Sequence, residues 1–574
     1  MRIVSRLRAF VGAIPRASVR REARRLLATT HDCRGTQQQV LKRLLALNAQ
    51  SRFSRERRLA SVRNVAEFRR RLPITDYEYF RPYIERLKQG DHQALLGPQN
   101  RLLMFSLSSG TTSASKYIPI TEQFLSDYRR GWQAWGIHTL DAHPGINSRK
   151  ILQFSSDYDC FRTKGGTPCG NISGLATAMQ KPIVRTMYTV PGIVSKIEDP
   201  DAKNYTALRL ALADEHVAMV VTANPSTLIQ LAKLADCKKE QLIRDIAEGT
   251  LAGGTQVGRT VRRALRFRLR RNRARARQLE QLVERTGSLL PQDYWPGLEV
   301  VAVWTGGSAG AYLQRLRQFY GDAAVRDHGL SASEGRMTIP IHDDRSDGIL
   351  DVASHFFEFI PEEQHESNNP NVLEAHELEE DRNYFILLTT SSGLYRYDIC
   401  DVVRCVGFHH TTPMLEFLHK GAHIANVTGE KISESQTVAA VRNAVEQVPI
   451  YLEQFTLSPV WGDPPRYRLF AEEQDIPSMA AAERLVNDID RQLQHLNREY
   501  REKRQTGRLA GIVWSPLPTG TWSKFTRRRQ QKLGGSFEQY KHPCLAPDLE
   551  FGDDLIREFA SGTLPAERGD RIPA

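Results

Sequence analysis

The stretch HVAMVVTANPSTLIQLAKLA, residues 216–235, reads as a buried strand, a turn and a helix. An apolar run leads into Asn-Pro-Ser, and a helical pattern follows. Two other apolar runs look like buried strands, RKILQF at 149–154 and LEVVAVWT at 298–305. The second of these is followed by turn residues and another helical segment, GGSAGAYLQRLRQFY at 306–320. Strands alternating with helices from about 150 to 330 predict an α/β sheet with helices on its faces.

Upstream, residues 36–90 read as helices, with apolar spacing in VLKRLLALNAQ (40–50) and YFRPYIERL (79–87). LLMFSLSSGTTSASKYIPIT (102–121) is a short apolar strand running into a hydroxyl-rich turn. Downstream, 384–408 (YFILLTTSSGLYRYDICDVVRCVGF) is β-rich around a Ser-Ser-Gly turn. After about residue 420 the pattern becomes α-β-β-α-β. A helix at 433–447 precedes strands at 451–460 and 466–473. A long amphipathic helix then starts after Pro477-Ser478. Leu485, Ile489, Leu493, Leu496 and Tyr500 form its apolar face, and a strand at 510–517 closes the set. No internal repeat is visible.

Composition bounds the class. Of 574 residues, 40% are hydrophobic and 25% charged, which excludes a wholly disordered or fibrous chain. No apolar run approaches the roughly 18 residues of a membrane-spanning helix. The seven cysteines are scattered without a C-x-x-C pair, so neither a disulfide scaffold nor a zinc ribbon is expected. The N-terminus lacks an apolar core ending in small residues, so no secretory signal is expected. The expected compartment is reducing and cytoplasmic.

The net charge of +13 is local. Residues 1–25 carry eight arginines against Glu22, and 259–277 carry ten arginines and no acid. A polyanion or anionic-membrane contact is one reading, and a solvated basic helix is the simpler one. Neither stretch has the aromatic pattern of an RNA-binding motif or helix-turn-helix spacing. The basic N-terminus is partly amphipathic, as a membrane-surface segment or a transit peptide would be.

Several constellations suit chemistry on phosphates. Ser108-Ser109-Gly110-Thr111-Thr112-Ser113-Ala114-Ser115-Lys116 crowds backbone N–H groups, hydroxyls and a cation into one turn. It is not a Walker loop. Ser331-Ala332-Ser333-Glu334-Gly335 places a carboxylate where it can ligate magnesium or polarise a reacting group. Tyr395-Arg396-Tyr397-Asp398-Ile399-Cys400-Asp401 ends a strand with carboxylates that can accept both hydroxyls of a ribose. Gly429-Glu430-Lys431 and Gln539-Tyr540-Lys541-His542-Pro543 offer lysines in the C-terminal region. Taken singly, each is more often a turn or a surface residue; their order is the stronger signal.

That order resembles the acyl acid–amido synthetases of the Gretchen-Hagen (auxin-responsive promoter) type, in the adenylate-forming superfamily. The resemblance runs from about residue 36 to 545. It rests on VLKRLLALNAQSRFSRE, TDYEYFRPYIERLKQGD, SSGTTSASKYIPIT, VWTGGSAGAYLQRLRQFYG with SASEG, FFEFIP, LTTSSGLYRYDICDVVRCVGF, GEKISE and FEQYKHP. It implies a large adenylate-forming domain at 36–420, with β-sheets flanked by helices plus a small β-barrel. A basic segment at 1–35 precedes it, and a smaller mobile α+β domain follows at 421–574.

It also implies a two-step ligase that uses ATP and Mg2+. A carboxylic acid becomes an acyl-adenylate, and an amine, typically an amino acid, displaces AMP. By motif, Ser108, Ser109, Gly110, Thr111 and Thr112 would contact phosphates, with Lys116 supplying a cation. Leu330, Ser331 and Ala332 would border the nucleotide. Ser333 and Glu334 would lie at the α-phosphate, and Glu334 at the metal. Tyr397 would line the nucleotide pocket and Asp401 would hold the ribose. Lys431 and Lys541 would act from the mobile domain. Three positions depart from the family pattern: Ser113 and Cys400 stand where glycine is usual, and Leu330-Ser331 where an aromatic is. The Arg-rich 259–277 is also outside that pattern. The competing readings are a ligase delivering its acyl group to coenzyme A or a protein thiol, and a basic polyanion- or membrane-binding protein with a degenerate nucleotide pocket.

Overall fold

The computed structural model describes residues 13–108, 116–180, 182–252, 256–421, 424–425, 427–428, 430–446, 448, 450–533 and 541–560. They fall into two compact units, one reaching Leu418 and the other starting at His419.

The first unit is organised on a parallel four-stranded sheet. Its strands, in spatial order, are Lys150–Gln153, Val217–Val221, Val300–Ala302 and Ala324–Arg326. The register explains why each strand is apolar throughout. Leu152, Val220, Val301 and Val325 form one row and face one hydrophobic cluster. In the neighbouring row, Ile151, Met219 and Val300 face another. Helices cover both faces, as a parallel sheet requires. Helix Pro225–Cys237 begins with Asn224 as its N-cap and Pro225 in its first turn, as the opening stretch predicts.

A second sheet pairs Leu102–Ser108 antiparallel with Lys116–Thr121. A third has seven strands, in the order 338–339, 347–350, 412–420, 397–409, 383–389, 356–361, 373–374. Between two of them, Gly393 stands at φ +83°. A Cβ there would lie 2.8 Å from the Leu95 Cγ and 2.9 Å from the Leu95 carbonyl oxygen. Gly393→Ala is therefore expected to destabilise the unit by about 2–4 kcal/mol, from left-handed strain and overpacking together. A urea midpoint unchanged from wild type would contradict this.

The Arg-rich segment is largely solvated. It spans helices Arg259–Leu265 and Arg273–Thr286, and eight of its ten arginines are exposed. Arg262 is half-buried, and Arg275 is the one that is buried. It donates to the carbonyls of Leu212 (3.0 Å) and Tyr294 (2.7 Å). Residues 1–12 lie outside the described residues. Helix Ala13–Ala28 buries Ala23 and Leu26 in one cluster with Ala134 and Trp135, and Arg20 pairs with Asp141. Among the described residues no helix is long and apolar enough to cross a membrane.

The second unit follows the predicted α-β-β-α-β order, with one correction. The amphipathic helix capped by Ser478 ends at Leu496, and Asn497 caps a separate helix, Arg498–Gln505. Leu485, Ile489 and Leu493 are buried, but Leu496 is exposed. Tyr500 is buried from the second helix and donates to Asp490 (2.6 Å). The Asn side chain satisfies the amide of Tyr500, which local apolar spacing cannot reveal.

Candidate functional site

Three of the sequence-predicted segments are tied together in the first unit. The hydroxyl-rich turn is the connection of a hairpin whose last pair is Ser108 with Lys116. Ser109, Gly110, Thr111 and Thr112 lie outside the described residues, as does the side chain of Ser108. Two residues before Ser108 in the strand, the buried Ser106 hydroxyl donates to the Ser333 hydroxyl at 3.1 Å. That bond joins the hairpin to the Ser-Ala-Ser-Glu-Gly motif.

The motif is itself a tight hairpin. Ser331–Ala332 pairs antiparallel with Gly335–Arg336, which puts Ser333 and Glu334 at its two-residue tip. Gly335 leaves little room beside Glu334, since a Cβ there would lie 3.0 Å from the His355 ring. Glu334 is 7% exposed. Leu330 and Ala332 are half-buried against the core cluster that also holds Tyr397, Leu107 and Tyr117.

Tyr397 begins the strand Tyr397–His409. Its hydroxyl is buried without a hydrogen-bond partner among the described residues. Burial, and next the negative charge of Glu334, push that phenol far above its ordinary range. The strand is laced to the N-terminal helices. Thr75 donates to the Arg396 carbonyl (2.9 Å) and accepts from Asp398 N–H (2.8 Å). Two residues on, the Tyr77 hydroxyl accepts from Tyr117 N–H at 2.9 Å. The half-buried Lys116 holds its Nζ 5.8 Å from the Tyr77 ring centroid. Thr75 and Tyr77 thereby link the hairpin carrying Lys116 to the strand carrying Tyr397.

Asp401 comes from a bulge. Asp398 pairs with Leu387 and Val402 with Phe385, so residues 399–401 stand opposite Ile386 alone. Such a bulge re-aims side chains. Cys400 takes φ +55° within it, the conformation for which glycine is usual. Asp398 is committed to the turn, with its oxygens on His365 Nε2 (2.6 Å) and Cys400 N–H (2.7 Å). Asp401 is 4% exposed. His365, Asp398 and Cys400 place their ligand atoms within 4.8 Å of one another, a mixed N, O and S set unlike the oxygen shell magnesium prefers.

Lys431 and Lys541 belong to the second unit, and both are exposed. Gly429 lies outside the described residues. Glu430 anchors the Lys431 turn: it accepts from Val427 N–H (2.9 Å), Thr428 N–H (2.7 Å) and the Tyr467 hydroxyl. Lys431 has φ +42°. Beside Lys541, His542 is buried against Thr456 and the Phe455 carbonyl. Sequence reading missed Ser106, Tyr77 and Arg336. Period-two spacing from Ser108 would have found Ser106; Tyr77 and Arg336 carry no local signal.

Residues 22–325 match the GH3 family N-terminal domain, 348–420 the GH3 family central domain and 435–550 the GH3 family C-terminal domain. A probable indole-3-acetic acid-amido synthetase of Oryza sativa subsp. japonica is 26% identical over 576 aligned residues, covering 90% of this chain and 92% of the relative. A jasmonoyl--L-amino acid synthetase of Nicotiana attenuata is 25% identical, with the same coverage of both. The solved structure of the GH3.15 acyl acid amido synthetase superposes with a TM-score of 0.81 at 20% identity, over 95% of this chain and 96% of that one. The chain belongs to the GH3 family of acyl acid amido synthetases.

Proposed function

We propose that the segments joined through Ser106–Ser333 and Tyr77–Tyr117 form the site where this enzyme activates a carboxylic acid with ATP and passes the acyl group to an amino acid. The observation that carries the reading is the Ser106–Ser333 hydrogen bond, because it holds the hydroxyl-rich hairpin against the tip bearing Glu334. A carboxylate is a poor electrophile at neutral pH. One of its oxygens attacks the α-phosphorus, the bond to the bridging oxygen breaks, and pyrophosphate leaves. The amine nitrogen then bonds to the acyl carbon and AMP departs. Negative charge accumulates on the phosphoryl oxygens in the first step. Lys116 stabilises that charge from the end of the hairpin strand. Asp401 accepts the ribose hydroxyls, and Tyr397 closes the nucleotide pocket.

Magnesium fits the donor set at the hairpin tip. Glu334 offers a buried hard carboxylate with the Ser333 hydroxyl adjacent, and phosphates complete the oxygen shell such an ion takes. When bound, the ion neutralises phosphate charge. Glu334 would hold it.

The test supplies purified protein with ATP, Mg2+, amino acids and a panel of carboxylic acids. Acid-dependent release of AMP and pyrophosphate, with an amide product, is expected; no AMP with any acid would overturn the reading. Replacing the amino acids with coenzyme A separates amide from thioester formation. Asp401→Ala should weaken ATP binding roughly 10–100-fold, the value of a charged hydrogen bond. Lys116→Ala should instead slow adenylation by about 10²-fold with a smaller effect on binding. Wild-type pyrophosphate release in both variants would show that the pocket lies elsewhere.

A further inference from the structure

Arg336 lies two residues beyond Glu334 on the same hairpin and is 2% exposed. Its Nε, Nη1 and Nη2 all lack a hydrogen-bond partner among the described residues. A buried guanidinium with its donors unmet is costly, so the reason it stands there needs an explanation.

The nearest carboxylates do not meet it. Asp327 and Asp351 both act on Arg336 electrostatically. Yet Asp327 accepts from Thr305 N–H (2.6 Å), the Thr305 hydroxyl (2.7 Å) and Gly329 N–H (2.5 Å). Asp351 accepts from the Ser354 hydroxyl (2.5 Å) and Ala353 N–H (3.3 Å). Arg336 carries its positive charge at neutral pH, as a guanidinium does in any protein setting.

The surroundings are aromatic and set at the end of the parallel sheet. Asp327 and His328 directly follow the last parallel strand, and Thr305 lies just beyond the strand before it. Ligands in such sheets bind outside the carboxyl ends of the strands. The Arg336 guanidinium lies 4.4 Å from the Trp132 ring centroid. Trp132 stands edge-on to Trp135 and to His328, with centroids 5.1 and 5.2 Å apart. The buried His328 has its own Nε2 unpartnered. Helix Glu122–Ala142 makes room for the arginine with Gly131, where a Cβ would lie 2.9 Å from the Arg336 Cδ. Trp132 is half-buried.

We infer that Arg336 sets which acid is used: the preferred substrate is an aromatic acid bearing a second carboxylate, and that second group pairs with the guanidinium. This rests on the adenylation reading above. The planar fork of arginine matches a carboxylate with two parallel hydrogen bonds. The flat indole and imidazole faces suit an aromatic body. The partner is the group that does not react. A cation gripping the reacting carboxylate would stabilise a charge that adenylation consumes, and so would oppose the step.

The test compares benzoate with isophthalate and terephthalate, which add one carboxylate to the same ring. Acid-dependent pyrophosphate exchange gives kcat/KM for each, and quenching of tryptophan fluorescence gives direct binding without ATP. Wild type should favour at least one dicarboxylate over benzoate by tenfold or more. Arg336→Met should reduce that ratio at least tenfold, chiefly through KM, and Arg336→Lys should restore part of it. Equal use of benzoate and both dicarboxylates, or an unchanged ratio in Arg336→Met, would overturn the proposal. If Arg336→Met does not fold, the wild-type preference and the Lys variant decide it. Arg336-dependent binding of a dicarboxylate without exchange of any acid would defeat the adenylation reading and, with it, the substrate preference, leaving only a carboxylate contact at Arg336; exchange of benzoate with no dicarboxylate binding to wild type would defeat the proposal alone.

Discussion

Glu334→Gln is expected to lower acid-dependent pyrophosphate exchange by about 10²–10³-fold, the loss typical when one group that stabilises transition-state charge is removed. The substitution keeps the shape of the side chain and removes only its charge. The tip of the hairpin should survive, because Ser331–Ala332 still pairs with Gly335–Arg336 and Ser106 still donates to Ser333. ATP binding, measured by calorimetry, should change much less than the exchange rate. The magnesium concentration giving half-maximal rate should rise, since Glu334 is the carboxylate proposed to hold the ion. A loss of exchange below threefold would remove Glu334 from the reaction.

The second large effect is on stability. Arg396 and Glu358 form an ion pair at 3.0 Å with side chains 5% and 1% exposed. Arg396 also donates to the Leu72 carbonyl at 2.6 Å, and Arg69 reaches the other Glu358 oxygen at 2.8 Å. Glu358→Ala strands Arg396 in the interior and should destabilise the unit by about 3–5 kcal/mol. Arg396→Met should cost less, because Arg69 still neutralises Glu358. Combining Arg396→Met with Glu358→Met should recover part of the loss, since replacing both partners with apolar groups removes the unpaired charge. Urea denaturation of the three variants checks the order. Equal midpoints for Glu358→Ala and wild type would mean that this pair does not hold the Tyr397 strand in place. The consequence extends to the site, because Arg396 precedes Tyr397 and takes φ +50°.

Much of this was legible in the order of residues. The parallel strands are readable because each is buried on both faces and so is apolar at every position, as Val217–Val221 shows. The hairpin connection between Ser108 and Lys116 is readable because its hydroxyl and glycine content has few other uses. The Arg-rich helices read correctly as solvated, but the role of Arg275 beneath Leu212 and Tyr294 did not show, since a buried arginine carries no mark in composition. The helix after Ser478 read as one element because the apolar spacing continues past Asn497, where a side-chain cap breaks it.

The sequence by itself determined the strand-helix alternation and the residue types able to bind phosphate, because both depend on contacts between near neighbours in the chain. Tertiary structure alone decided that Ser106 meets Ser333 across 227 positions, that Tyr77 reaches Tyr117, and that Arg336 stands over Trp132 with its nitrogens unmatched among the described residues. These depend on which surfaces pack together, and each such contact joins groups whose local spacing is silent about one another.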